Sequence, residues 1–147
     1  MDNFNWKVRV RATERDIATA YVRGHDFEVG LPVRFDEQYQ RITALEYVLG
    51  AVGADVVNGL QSASRRRRVG IDNVEAVVSG KLNNPLVALA VVGEEGHPGL
   101  ERIGVKVYVS SAAPEEEIRR AWDETLDRSP LLHTFKPVLE LELRVEV

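Results

Sequence analysis

The sequence predicts an α+β protein in which strands pack on one long buried helix. Three observations lead to this fold class. Residues 42–68 are mostly apolar and have helical spacing, residues 114–128 form a second, amphipathic helical pattern, and several other segments alternate apolar with polar residues. The order is strands, long helix, one or more strands, amphipathic helix and final strand. This order indicates sheets with one face exposed and helices against the other.

Length and composition set broad limits on the protein. We expect 147 residues to form one domain spanning 1–147. The chain shows no N-terminal apolar run and no stretch near the roughly 20 apolar residues of a membrane span, so we expect a soluble cytoplasmic protein without a membrane partner. The net charge of −4 argues against nucleic acid as a partner. The absence of cysteine excludes disulfides and thiolate metal sites within this sequence.

The N-terminal third predicts a meander of two or three short antiparallel strands. Residues 5–13 alternate strictly, which indicates a half-buried strand with Trp6 and Val10 on its apolar face. Residues 16–31 continue the pattern and are divided by a turn-prone pair, Arg23 and Gly24. Residues 32–41 are polar and irregular, and we interpret them as the loop that leads to the central helix.

The central helix is predicted from apolar residues that recur at steps of three and four. These residues are Leu45, Val48, Leu49, Val52, Val56 and Leu60. Thr43 can cap the helix together with Glu46, and Gly70 is the expected C-terminal stop. The other side carries only small residues, so the helix is predicted to be buried on most sides. Its three glycines would allow a second central helix or a symmetry mate to approach closely.

The second half of the chain alternates strands with a clear helix. Alternation predicts strands at 71–82, 102–110 and 138–147, whereas 86–92 is apolar without a period and fits either a short helix or a strand. The glycines and proline of 94–99 indicate a turn or mobile loop. Residues 114–128 have one apolar stripe and acidic residues in the first turn, and Pro130 ends this helix.

Asp55 is the unusual residue of the central helix. An ionised carboxylate among apolar neighbours requires a cation or hydrogen-bond donors, or else it takes up a proton. It is therefore a candidate site residue. The alternative is that Asp55 faces a wet rim or forms a structural ion pair with an N-terminal arginine.

Two segments resemble the OsmC/Ohr family in their order and separation. LEYVLGAVGADVV, residues 45–57, is similar to the helical run that leads to the family's reactive cysteine, and DRSPLLHTF, residues 127–135, resembles its second cysteine-proline segment. The resemblance implies an OsmC-like fold: antiparallel sheets packed on a long buried helix and a second amphipathic helix, in an intertwined homodimer with sites at the subunit interface. In active members it implies a thiol peroxidase acting on organic hydroperoxides.

The resemblance places non-thiol residues at both cysteine positions. Asp55 takes the position of the reactive cysteine and Ser129 that of the second. The family's activating glutamate falls on Leu45, with Glu46 adjacent. The catalytic arginine comes from the N-terminal region, where the possible matches are Arg15, Arg23 and Arg34.

Thiol peroxidase chemistry needs a thiolate that becomes a sulfenic acid and then a disulfide. Because neither Asp55 nor Ser129 can do this, the sequence predicts that the fold is kept and the thiol peroxidase reaction is lost.

Three hypotheses about the function follow. The first is a non-redox homodimer that binds a small, partly apolar ligand in the interface cleft. The second is a non-redox enzyme for hydrolysis or proton transfer, using Asp55 as a base or His133 acting through Ser129. The third is a structural or interaction protein. No cofactor or metal is expected, since the three histidines lack ligand spacing.

Overall fold

The computed structural model describes residues 4–147, which contain six strands and four helices and divide into two compact units, residues up to Val48 and Leu49–Val147. The strands are Arg9–Glu14 (β1), Ile17–Val22 (β2), His25–Val29 (β3), Asn73–Leu82 (β4), Leu100–Ser110 (β5) and Glu140–Glu146 (β6). The helices are Ala44–Arg66 (α1), Pro85–Ala88 (α2), Glu115–Arg128 (α3) and Pro130–Phe135 (α4). The predicted α+β class is confirmed.

The first unit contains the predicted antiparallel meander, in the order β1-β2-β3. Arg23 and Gly24 form the turn between β2 and β3, and both have positive φ values, 47° and 81°. The predicted half-burial of β1 is wrong: all six residues are exposed, and Val10 is 62% exposed. Alternation separates the two faces of a strand, but it does not show what covers either face.

The second unit contains the sheet β4-β5-β6. Strands β4 and β5 are antiparallel, as predicted, but β5 and β6 are parallel, so the sheet is mixed. The prediction of wholly antiparallel sheets is corrected on this point. Two helices, α3 and α4, lie between the end of β5 and the start of β6. A connection of this length lets the chain return to the other end of the sheet, and the strands then run in the same direction.

The hydrophobic core of the second unit lies between this sheet and its helices. Val52, Val56, Leu60 and Ala63 form one stripe along α1 at helical spacing. The core is completed by alternate residues of β5 from Ile103 to Val109 and by the apolar stripe of α3. This packing fixes the part of α1 that carries Asp55 within the second unit.

Within the single chain, helix α1 is buried along one side, by residues that include Val52, Val56 and Leu60. Its burial on the other side, by a second central helix or a symmetry mate, stays a prediction. Gly50, Ala51, Ala54 and Asn58 are exposed. Small, weakly polar residues do not show whether a helix face is covered, because they are tolerated in both settings. Two of the glycines do serve close packing within the chain: a Cβ on Gly53 would lie 2.8 Å from Val78 Cγ2, and one on Gly59 would lie 3.0 Å from Thr125 Cγ2.

The C-terminus of α1 is formed by Arg68, not by Gly70 as predicted. Arg68 has a φ of 58°, Val69 N donates to Ser64 O (2.8 Å) and Arg68 N donates to Arg65 O (3.1 Å). These two bonds define a Schellman motif, in which the left-handed residue is usually glycine. The preference for glycine at a helix C-terminus therefore placed the end of α1 at Gly70, two residues beyond the left-handed residue Arg68.

Two short helices occupy segments that the sequence left open or did not predict. Of the segment 86–92, only residues 86–88 are helical, as the last three residues of α2. Asn84 is the N-cap of this helix, and its side chain accepts a hydrogen bond from Leu86 N (3.1 Å). Helix α4 was not predicted. The pair Ser129–Pro130 is nevertheless a pattern that indicates a helix start, because it combines an N-cap residue with proline at the first helical position.

Candidate functional site

The structure brings together Asp55 and Ser129, the two residues that resemble the family's cysteine positions. Asp55 lies half-buried on α1, and Ser129, which is 4% exposed, joins α3 to α4. The Ser129 hydroxyl donates to Asp55 Oδ2. Leu131 N donates to the same oxygen at 3.2 Å. A buried or half-buried carboxylate is stabilised by such donors without a cation.

Ser129 holds this position because it is also the N-cap of α4. Its Oγ accepts a hydrogen bond from Leu132 N (3.1 Å) while its proton goes to Asp55. A hydroxyl can donate once and accept twice, so both roles are compatible. The Asp55–Ser129 pair, together with the amides of Leu131 and Leu132, therefore links the middle of α1 to the start of α4.

The predicted ion pair of Asp55 with an N-terminal arginine stays a prediction. Within the second unit the partners of Asp55 are a hydroxyl and an amide, not a cation. In the first unit Arg34 is exposed, with its guanidinium carbon 5.7 Å from the centroid of the Tyr39 ring.

His133 does not join the Asp55–Ser129 pair. Its Nε2 lies 2.7 Å from the main-chain oxygen of Asp127. Because a carbonyl can only accept, Nε2 carries the proton in this contact. The Ser129 hydroxyl donates to Asp55 instead of to an imidazole, so the geometry of a serine activated by His133 is not formed.

Leu45 and Glu46, the matches to the family's activating glutamate, lie in the first turn of α1. Leu45 is half-buried and Glu46 is exposed. Glu46 forms the predicted capping box: its Oε1 accepts from Thr43 N (3.0 Å) and Thr43 Oγ1 (2.9 Å), and its N–H donates to Thr43 Oγ1 (3.1 Å). The bond from the Thr43 backbone, followed by that from its hydroxyl, holds the pKa of Glu46 below its ordinary value of 4.5.

This lowered pKa predicts a pH-dependent contribution of Glu46 to stability. A carboxyl whose pKa is lower in the folded chain stabilises it above pH 4.5, and the contribution is lost as the pH falls through the lowered pKa. We therefore expect Glu46→Gln to be less stable than the wild type at pH 7, by a deficit that shrinks as the pH is lowered below 4.5, measured by urea unfolding at a series of pH values. Glu37→Gln, at an exposed loop position, is the charge-matched control. A deficit that stayed the same over the whole series would refute the capping role of the carboxylate.

Comparison with known proteins shows the family to which this chain belongs. The model of the OsmC family, described as OsmC-like protein, matches residues 35–144, so the chain belongs to the OsmC family. No protein with curated function matches the chain. The family resemblance seen in the two sequence segments is confirmed.

Solved structures confirm the OsmC-like fold over nearly all of the chain. An OsmC-like protein from Mycoplasma pneumoniae is 19% identical, with a TM-score of 0.80 and coverage of 99% of this chain and 98% of its own. A hypothetical protein from Aquifex aeolicus is 14% identical, with a TM-score of 0.77 and coverage of 97% and 96%. An organic hydroperoxide resistance protein OsmC from Legionella pneumophila is 8% identical, with a TM-score of 0.70 and coverage of 97% and 98%. At these identities the likeness concerns the fold.

Within residues 4–147 no helix is both long and apolar enough to cross a membrane. The cytoplasmic location remains a prediction.

Proposed function

We propose that this chain is a non-redox member of the OsmC family, one OsmC-like domain that forms a homodimer and binds a small, partly apolar ligand beside Asp55. The observation that carries the proposal is the hydrogen bond from Ser129 to Asp55, at the two positions that resemble the family's cysteines. A carboxylate and a hydroxyl can hold each other in place, but they cannot pass through sulfenic acid and disulfide states.

The surface around Asp55 supports a ligand cleft closed by a second copy. On a helix, residues four before and three after a given position lie beside it. For Asp55 these are Ala51 and Asn58, and both are exposed, as is Ala54. Small side chains leave space for another backbone to approach. Within the second unit, both hydrogen bonds to Asp55 fall on Oδ2, so Oδ1 is available as a polar anchor for a ligand.

A native mass spectrum of the gently purified chain tests this proposal. We expect a dimer that carries an adduct of defined mass, because a ligand enclosed at an interface is retained during mild desolvation. A dimer without an adduct would argue against the ligand, and a monomer would contradict the shared cleft.

The chemical part of the proposal is tested by restoring both thiols. In the Asp55→Cys/Ser129→Cys variant, we expect mild oxidation to form an intramolecular disulfide, detected by intact mass and by thiol labelling, because the resemblance places the family's two cysteines at these positions and the structure brings the two side chains together. The two single variants are the controls, since neither can close this bond within one chain.

A peroxidase assay of the wild type tests the non-redox assignment directly. We expect the wild type to consume no cumene hydroperoxide with a dithiol reductant. Turnover by the wild type would overturn the non-redox assignment.

A further inference from the structure

Asp55 carries the only charge on a long stretch of α1. No other charged residue occurs in residues 47–64, and its neighbours on the helix surface, Ala51 and Asn58, are neutral. Asp55 is half-buried, so the residues around it replace part of the water that would otherwise solvate its carboxylate. The carboxylate therefore has no cation beside it on its own helix.

The two groups that bond Asp55 are neutral donors. The Ser129 hydroxyl and Leu131 N both bond its Oδ2, and within the second unit no hydrogen bond falls on Oδ1. These bonds hold the carboxyl group in place, but they leave its charge without a counter-ion.

The basic residues near Ser129 in the chain are engaged elsewhere. Arg128 pairs through Nε with Glu124 at 3.4 Å. His133, the one ionisable residue of α4, bonds the main-chain oxygen of Asp127 through Nε2. No ion pair within the second unit, Leu49–Val147, includes Asp55.

We propose that the ligand of the cleft beside Asp55 carries an ammonium group, which donates to Asp55 Oδ1, on a short apolar chain. This inference rests on the proposed function and names the class of ligand. A hydrogen bond between an ammonium and a carboxylate is about twice as strong as one between neutral groups. A ligand carboxylate would instead bring two like charges together, which is unfavourable.

The surroundings of Asp55 suit such a ligand. An ammonium has three donors, and the exposed amide of Asn58, about one turn further along α1, offers a second acceptor. Ala51 and Ala54 are exposed and apolar, so they can cover methylene groups of the ligand. An alcohol could donate to the same oxygen, but it would leave the carboxylate without a counter-ion.

Titration of the full-length chain with butylammonium, butanol and butyrate tests the charge of the ligand, because these probes differ mainly in their head groups. The backbone amide NMR signals of Leu131 and Asn58 report binding at the site. We expect butylammonium to bind roughly five-fold more tightly than butanol, and butyrate to bind most weakly. Equal affinities for butylammonium and butanol would overturn the inference. Exclusion of butylammonium by an arginine of a second copy paired with Asp55 would overturn it as well.

Asp55→Asn removes the charge and keeps the shape of the side chain, so Ser129 can still donate to it. We expect this variant to bind butylammonium and butanol with affinities equal to within about two-fold. Asp72→Asn is the matched control, because Asp72 is an exposed aspartate of the same unit that lies outside α1. It should keep the preference of the wild type for butylammonium. Loss of this preference in both variants, or in neither, would overturn the inference.

The native mass spectrum separates this inference from the proposed function. A dimer that retains an adduct but shows no preference for butylammonium would overturn the charge assigned to the ligand and leave the cleft in place. A monomer without an adduct would overturn both.

Discussion

Replacing Ser129 with alanine is expected to lower the free energy of unfolding by about 3 kcal/mol. The substitution removes the N-cap of α4, which is worth about 1 kcal/mol, and a hydrogen bond to a carboxylate, worth about 2 kcal/mol. Both contacts depend on the single hydroxyl that bonds Asp55 and Leu132 N. Urea unfolding at pH 7 measures the change.

Two variants control for this prediction. Ser129→Thr keeps a hydroxyl and should recover much of the lost stability. Ser110→Ala removes a serine hydroxyl from an exposed position in β5 and should change the unfolding free energy by less than about 0.5 kcal/mol. If Ser129→Ala were no more destabilising than Ser110→Ala, the hydroxyl would not hold α4 to α1.

Replacing Leu60 with alanine is expected to lower the free energy of unfolding by about 3 to 4 kcal/mol. Leu60 has no exposed surface and lies in the stripe of α1 that packs into the core of the second unit. Truncation removes buried apolar surface and leaves a cavity that the surrounding strand and helix cannot fully close. Thermal and urea unfolding should both report the loss.

Leu89→Ala provides the matched control for this core prediction. Leu89 is 47% exposed and follows the short helix α2, so the same truncation should cost less than about 1 kcal/mol. Similar losses for the two variants would mean that α1 is not anchored through Leu60, and the placement of Asp55 would need revision.

Local patterns in the sequence predicted most of the elements correctly. The spacing of apolar residues gave the positions of α1 and α3, and alternation gave β4, β5 and β6. The capping box of Thr43 with Glu46 was predicted from their three-residue separation and is confirmed. These features depend on neighbours within one or two turns, and a sequence shows such neighbours directly.

Features that depend on distant partners were not predicted. The parallel pairing of β5 with β6 follows from the path of the chain through α3 and α4, and the exposure of β1 depends on what lies beside it. The left-handed conformation of Arg68 comes from the two Schellman hydrogen bonds and not from its residue type. Composition and periodicity carry no information on these partners.

The candidate site was predicted in part. Asp55 was identified as an isolated carboxylate in an apolar helix, and the family resemblance identified Ser129. The donation of Leu131 N to Asp55 was missed, because it depends on the short helix α4. His133, four residues from Ser129, bonds the backbone of Asp127 instead, since a turn of helix after Pro130 directs it there.

A double-mutant cycle of Asp55→Ala and Ser129→Ala tests the central claim most directly. The claim is that the two positions that resemble the family's cysteines now hold one hydrogen-bonded pair. We expect a coupling free energy of about 2 kcal/mol between the two substitutions, because removal of either partner already breaks the bond. A coupling below about 0.3 kcal/mol would show that the side chains act independently, and it would contradict the account.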